Sequence, residues 1–223
     1  MNQKEFIKIL HESLLKQNEF NLFKSNKSYY KLARNDNKYI YSYKLIVHSY
    51  SPIYPIVPGG GIICKSINNI YSSFRAQNKA EIRFYKNHFP TLGGDIARIT
   101  DAFEIENIPN EVRLNCETNN TEVIDFPLSE LVNIFNIYIE PFFIKFSSVN
   151  AIDNYLNTDL GKVTLLKPAI GERGALGLIA AKLNHNPNLN SLIESYSEMV
   201  KKSNSSKAHV DAFNKCIEWL KLS

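Results

Sequence analysis

The run YIYSYKLIV at residues 39–47 constrains the rest of the chain more than any other segment. Alternate side chains of an extended segment share a face, so Tyr39, Tyr41, Tyr43, Leu45 and Val47 fall together on one side. The run SYYKLA stands before it, and between the two lies RNDN, whose Asn and Asp residues favour tight turns. Residues 28–47 therefore read as a β-hairpin. Upstream, Phe6, Leu10 and Leu14, with Ile7 beside them, have the spacing of an amphipathic helix over 3–17, expected to lie on the sheet.

Downstream, Pro52, Pro55 and Pro58 each lack the N–H that a ladder uses, so residues 51–58 are expected to be loop or edge. AEIRFY (80–85), AFEIE (102–106), EVRLNCE (111–117) and TEVIDF (121–126) read as further short strands. From Pro127 the period changes. Leu128, Leu131, Val132, Phe135, Ile139, Phe142 and Phe146 keep helical spacing, and Pro141 should kink or split that helix because its ring clashes with the preceding turn. Ser147 or Ser148 is placed to cap a short helix, VNAIDNYL. After KVTLLKP, a short strand or a loop, come three helical patterns: GALGLIAAKL, NLNSLIESYSEMVKK and AHVDAFNKCIEWLKL. The expected fold class is α+β, one mostly antiparallel sheet packed by helices with a C-terminal helical region. The division expected is an α+β domain over 1–160 and a helical subdomain over 161–223.

With 223 residues, 44% of them apolar and 22% charged, the chain can bury a core without staples. Cys64, Cys116 and Cys216 have no paired spacing, which argues against a disulfide framework or a zinc knuckle and fits a reducing cytoplasm. MNQKEFIKIL does not read as a secretory signal. The most apolar stretch, LVNIFNIYIEPFFIKF, is interrupted by Asn133, Asn136, Glu140, Pro141 and Lys145, so no membrane span is expected. Heavy use of Asn, Lys and Ile is the mark of an AT-rich, bacterial genome.

Two glycine-rich segments bear on nucleotide chemistry. PGGGIICKS (58–66) has phosphate-loop spacing, but Cys64 stands in place of the last glycine, where a Cβ would obstruct the curl of the backbone around a phosphate. It is expected to be a glycine-rich turn leading into an edge strand. GERGALG (171–177) opens a helix where N–H groups and Arg173 could hold an anion, against the repelling charge of Glu172; close packing at the helix start is its expected role. GGDIA (93–97) reads as a turn. His11, His48, His88, His185 and His209 show no ligand spacing, and no nucleophile motif occurs. No catalytic residue, metal ligand or cofactor is expected, and a nucleotide-dependent enzyme is kept as a third alternative.

The hairpin region concentrates charge and aromatics. Over residues 21–54, six cations (Lys24, Lys27, Lys31, Arg34, Lys38 and Lys44) face only Asp36, a local excess of +5 in a chain whose net charge is +4. Seven of the twelve tyrosines lie in the same region. Half-buried strands use tyrosine for cross-strand packing, and lysines blunt exposed edges. The alternative is a recognition surface of Tyr29, Lys31, Arg34, Lys38, Tyr39, Tyr41 and Tyr43, meeting an acidic protein or, by base stacking in a basic groove, nucleic acid.

NEFNLFKSNKSYYKLA follows the opening helix with a phenylalanine-basic segment and an aromatic-basic strand, and IYIEPFFIKFSSVNAI (137–152) ends a helix in Pro-Phe-Phe followed by Phe-Ser-Ser. In both, the chain resembles the DUF4304-type family of bacterial domains of unknown function. The resemblance implies one sheet with helices and a role like that of the small bacterial proteins that are immunity partners of secreted toxins. It brings no catalytic residues. The leading expectation is a cytoplasmic, non-enzymatic protein-binding protein, an immunity factor neutralising a toxin, with a nucleic-acid-binding module as the alternative.

Overall fold

In the computed structural model, which describes residues 12, 20–26, 29–48, 53–101, 103, 111–115, 122–161 and 169–222, the hairpin forms as expected. Strands β2 (Tyr29–Asn35) and β3 (Tyr39–Val47) pair antiparallel, with Arg34 opposite Tyr41 and Leu32 opposite Tyr43. β1 (Asn21–Asn26) extends the ladder antiparallel to β2, its register shifting between Leu22 and Lys24. The sheet continues to β4 (Ile53–Cys64) and β5 (Leu92–Asp95), and β6 (Val112–Asn115) pairs antiparallel with the first part of β4. The expected helix over 3–17 lies outside the described residues apart from Glu12, as do most of AFEIE and all of KVTLLKP.

Residues 53–58 correct the expectation of loop or edge: they lie in a strand inside the sheet. Proline loses a donor but keeps its acceptor. The Pro55 carbonyl takes the His48 N–H at 2.9 Å, and Pro55 still stands opposite Arg113 in the β6 register. PGGGIICKS is likewise not a turn. Its glycines are strand residues, and a Cβ on Gly59 would come within 2.5 Å of the Gly94 carbonyl oxygen, so the two chains pass too closely for any side chain.

Two expected strands are helices. AEIRFY lies in α2 (Lys79–Asn87), which follows α1 (Lys65–Arg75). Asn78 caps it by accepting the Glu81 N–H at 2.9 Å, while the Glu81 carboxylate reaches back to the Gln77 N–H at 2.8 Å. That reciprocal pair outweighs a short alternating pattern. Beyond β5 and the short α3 (Ile96–Asp101), TEVIDF lies almost wholly in α4 (Glu122–Ile134), since a brief apolar run cannot distinguish strand from helix by period alone.

The disturbance expected at Pro141 is a π-helical turn (Phe135–Ile139) leading into α5 (Glu140–Lys145). The Glu140 N–H bonds the Phe135 carbonyl, one residue further back than in an α-helix, just before the residue that has no N–H to offer. The widened turn keeps Leu131, Phe135, Ile139, Phe142 and Phe146 all buried.

By contacts the chain divides into two compact units, Met1–Gly61 with Gly93–Ile144, and Ile62–Leu92 with Lys145–Ser223; the sequence reading drew one boundary at 160/161. In the first unit, Tyr39, Tyr41, Tyr43, Leu45 and Val47 are buried along one face of β3, Ile40 and Ser42 are buried on the other, and the Tyr43 hydroxyl donates to the Leu131 carbonyl of α4 at 3.2 Å. The second unit is helical. α6 (Val149–Asn157) is capped by Ser148, which accepts the Ala151 N–H at 3.1 Å. It is followed by α7 (Ile170–Leu183), α8 (Leu189–Lys202) and α9 (Lys207–Leu222), in the order the three patterns imply. α7 is buried nearly all round, as befits the central rod of a bundle.

Candidate functional site at the hairpin and the π-helical rod

The turn between β2 and β3 is made by Asp36, whose Oδ1 accepts the N–H groups of Lys38 at 2.7 Å and Tyr39 at 2.6 Å. Lys38 is left exposed at the tip. One residue before Asn35, Arg34 projects against the rings of two buried residues: its guanidinium carbon lies 5.2 Å from the Phe20 centroid and 5.0 Å from that of Tyr41. Its Nη2 donates to Glu140 Oε1 at 3.0 Å, with 24% and 26% of the two side chains exposed. Glu140 Oε2 is buried and meets no donor among the described residues. Phe143 stacks on Phe20 at 6.1 Å and meets Tyr41 at 5.3 Å, closing an aromatic bed beneath the ion pair. Burial, and then the negative charge of Asp36, hold the Tyr41 phenol above its usual range.

The sequence-predicted site residues separate into three groups. Tyr39, Tyr41 and Tyr43 are 6%, 7% and 0% exposed, which corrects the expectation that their rings face a partner: they are the strand's core face. Arg34 and Lys38 reach the surface. Tyr29 and Lys31 lie on β2 opposite Ile46 and Lys44, and their side chains fall outside the described residues.

The surface features that the hairpin reading missed are on the continuous helical run of α4, the π-helical turn and α5 (122–145), the π-helical rod. Ile137 is 57% exposed and Ile144 66%, flanking Glu140 at three and four residues along the helix, so the three lie on one face. Ser129, Asn133 and Asn136, also exposed, continue that outer side without charge. The signal was present in the sequence. Ile137 and Ile144 are apolar residues off the stripe that Leu131, Phe135, Ile139, Phe142 and Phe146 form.

The second unit holds a different polar site. A cavity of about 460 Å³ is lined by the amides of Asn150, Asn154, Asn184, Asn186 and Asn188 together with Asp153 and His185. The Asp153 carboxylate is fully buried, and takes N–H groups from Asn157 at 2.6 Å, Asn184 at 2.8 Å and Asn186 at 3.0 Å. Behind it Arg173, 1% exposed, donates to the carbonyls of Leu156 and Asp159 at the end of α6, both at 2.8 Å. GERGALG therefore lies within α7, and its arginine closes a helix C-terminus instead of offering charge to an anion. Among the described residues no group of three or more His, Cys, Asp or Glu is placed to hold a metal ion, and no helix is long and apolar enough to cross a membrane. Compared with models of known families, with curated proteins and with solved structures, the chain matches none of them.

Proposed function

We propose that the chain is a non-enzymatic protein-binding protein that acts in the cytoplasm as an immunity factor neutralising a toxin. The outer side of the π-helical rod, with Arg34 against it and Lys38 at the tip of the same hairpin, is its contact surface. The observation that carries this reading is the exposure of Ile137 and Ile144 on either side of the Arg34–Glu140 pair. Large aliphatic side chains exposed on both sides of a partly buried ion pair make a mixed apolar and charged patch of the kind that protein contacts use. Phe20 and Phe143, one from each of the stretches that resemble the family, stack at 6.1 Å next to this pair, which is why the proposed surface is sought here.

The test is site-specific photo-crosslinking from position 137 or 144 in the native cell, with position 84 on α2 as the comparison. Recovery of one protein from the rod positions alone, reconstituted as a stoichiometric complex and losing its toxicity when bound, supports the proposal. Crosslinks spread equally over both positions, or a captured protein whose activity is unchanged in the complex, refute it.

A further inference from the structure

We propose that the outward face of α2 binds single-stranded nucleic acid, a surface separate from the one assigned to the partner protein. Not one residue of this helix is buried, although it carries two aromatic side chains. Phe84 is 50% exposed, yet its ring is held in place: it stacks on His88 at 6.0 Å with the planes 20° apart, and meets the edge of Tyr85 at 5.4 Å. Tyr85 in turn packs on Phe89 and carries the Arg75 guanidinium 5.4 Å from its centroid. A braced aromatic surface with an open side is what an unstacked base requires.

The charge around it is mostly positive, although Glu81 and, from α7, Glu172 act on Tyr85. Lys79, Arg83 and Lys86 lie on the helix and Arg75 ends the one before it. The only acid on α2, Glu81, is engaged at the N-cap by the Gln77 N–H and the Asn78 side-chain amide. Its negative charge is thus spent on the helix's own N-terminus, where the dipole favours it. Cations flanking an exposed ring satisfy phosphates and a base together. An acidic peptide would use the cations and leave the phenyl and imidazole faces idle, so nucleic acid fits better. Bases inside a duplex cannot reach such a platform, which selects single strands.

The experiment is fluorescence anisotropy of a labelled oligothymidylate titrated with the full chain between 50 and 200 mM salt. Expected is binding whose logarithm falls with that of salt at a slope of about −2, for roughly three phosphate contacts. Phe84→Ala weakens it about tenfold or more with the slope unchanged, whereas Arg83→Gln or Lys86→Gln lowers the slope by about 0.7 each. Arg34→Gln on the hairpin leaves it unaltered. Phe84 is half exposed, so its replacement spares the fold, which a thermal melt verifies. Absence of binding, equal affinity for duplex, indifference to Phe84→Ala, or full competition by polyglutamate each overturns the proposal, the last in favour of an acidic protein partner.

Discussion

Two arginines, one in each unit, are held in opposite ways. Arg173 is 1% exposed and its guanidinium is spent on neutral carbonyls at a helix end, with Tyr196 donating to the same Leu156 oxygen at 2.8 Å. Arg34 is a quarter exposed, lies over two rings, and pairs with a carboxylate whose second oxygen has no donor among the described residues. A buried guanidinium surrounded by acceptors is a device for closing a helix C-terminus. A quarter-exposed one beside a carboxylate that has exposed aliphatic side chains on either side of it is, in the proposed function, equipped to meet something outside. The contrast separates a guanidinium that serves the architecture from one that the proposed function uses for recognition.

The largest effect expected is from Arg173→Met, which leaves the end of α6 short of donors. Losing charge-assisted bonds from a fully buried group should cost about 3 kcal/mol. Trp219, the chain's single tryptophan, packs against Phe74 within the second unit, so urea unfolding followed by its fluorescence reads this directly. A cost under about 1 kcal/mol would mean that Arg173 is as dispensable as a surface cation, and the contrast would fail.

Next in size is an alkaline response of the same unit. Burial pushes the Cys216 thiol up to about 12 from 9.0, and burial, opposed by Arg173, pushes the Tyr196 phenol up to about 12 from 10.0. The folded state therefore keeps protons that the unfolded chain has already released. Their stabilisation is complete below pH 9 and is lost as the pH climbs toward 12. Between pH 9 and pH 10.5 the thiol and the Tyr196 phenol together should lose about 2 kcal/mol, the larger part from the thiol, and the Tyr71 phenol of the same unit, which burial also holds well above its usual range, adds to the loss. Cys216→Ala should delay its onset toward the phenol's unfolded value, and an unchanged onset in that variant would show that the thiol is not the titrating group.

How much of this was legible follows from the range of each signal. Turn residues, alternation, the Ser148 cap and the Pro141 disturbance are local, and local chemistry decides them. The capping pair around Asn78 is local too, but the alternation in AEIRFY signals a strand over the same residues, and the two local signals conflict. Arg34 with Glu140 is a different matter: 106 residues separate them, and no spacing rule spans that distance. Alternation places Tyr39, Tyr41 and Tyr43 on one face, but does not say that both faces of this part of the strand are covered, Ile40 and Ser42 included. A period says which residues are together, never what lies against them.

A smaller effect, about 1 kcal/mol, belongs to the Arg34–Glu140 pair, because water screens half-exposed charges. Arg34→Gln should cost more than Glu140→Gln, since removing the guanidinium strands a carboxylate that already has one unsatisfied oxygen. Hydrogen exchange of the β3 amides in the two single variants and the double variant gives the coupling. Equal single costs with no coupling would demote the pair to a surface coincidence.

The smallest stability change, and the sharpest test of the comparison, is Ile137→Glu with Ile144→Glu. Both side chains are more than half exposed, so replacing them removes little buried area and should move the melting midpoint by no more than about 0.5 kcal/mol allows. If the rod's outer side is built for a partner, the same change should abolish complex formation while Arg173→Met, measured where the second unit is still folded, leaves it intact. A double variant that melts several degrees lower would place the two isoleucines in the architecture after all, and the exposure that marks the rod as a contact surface would lose its meaning.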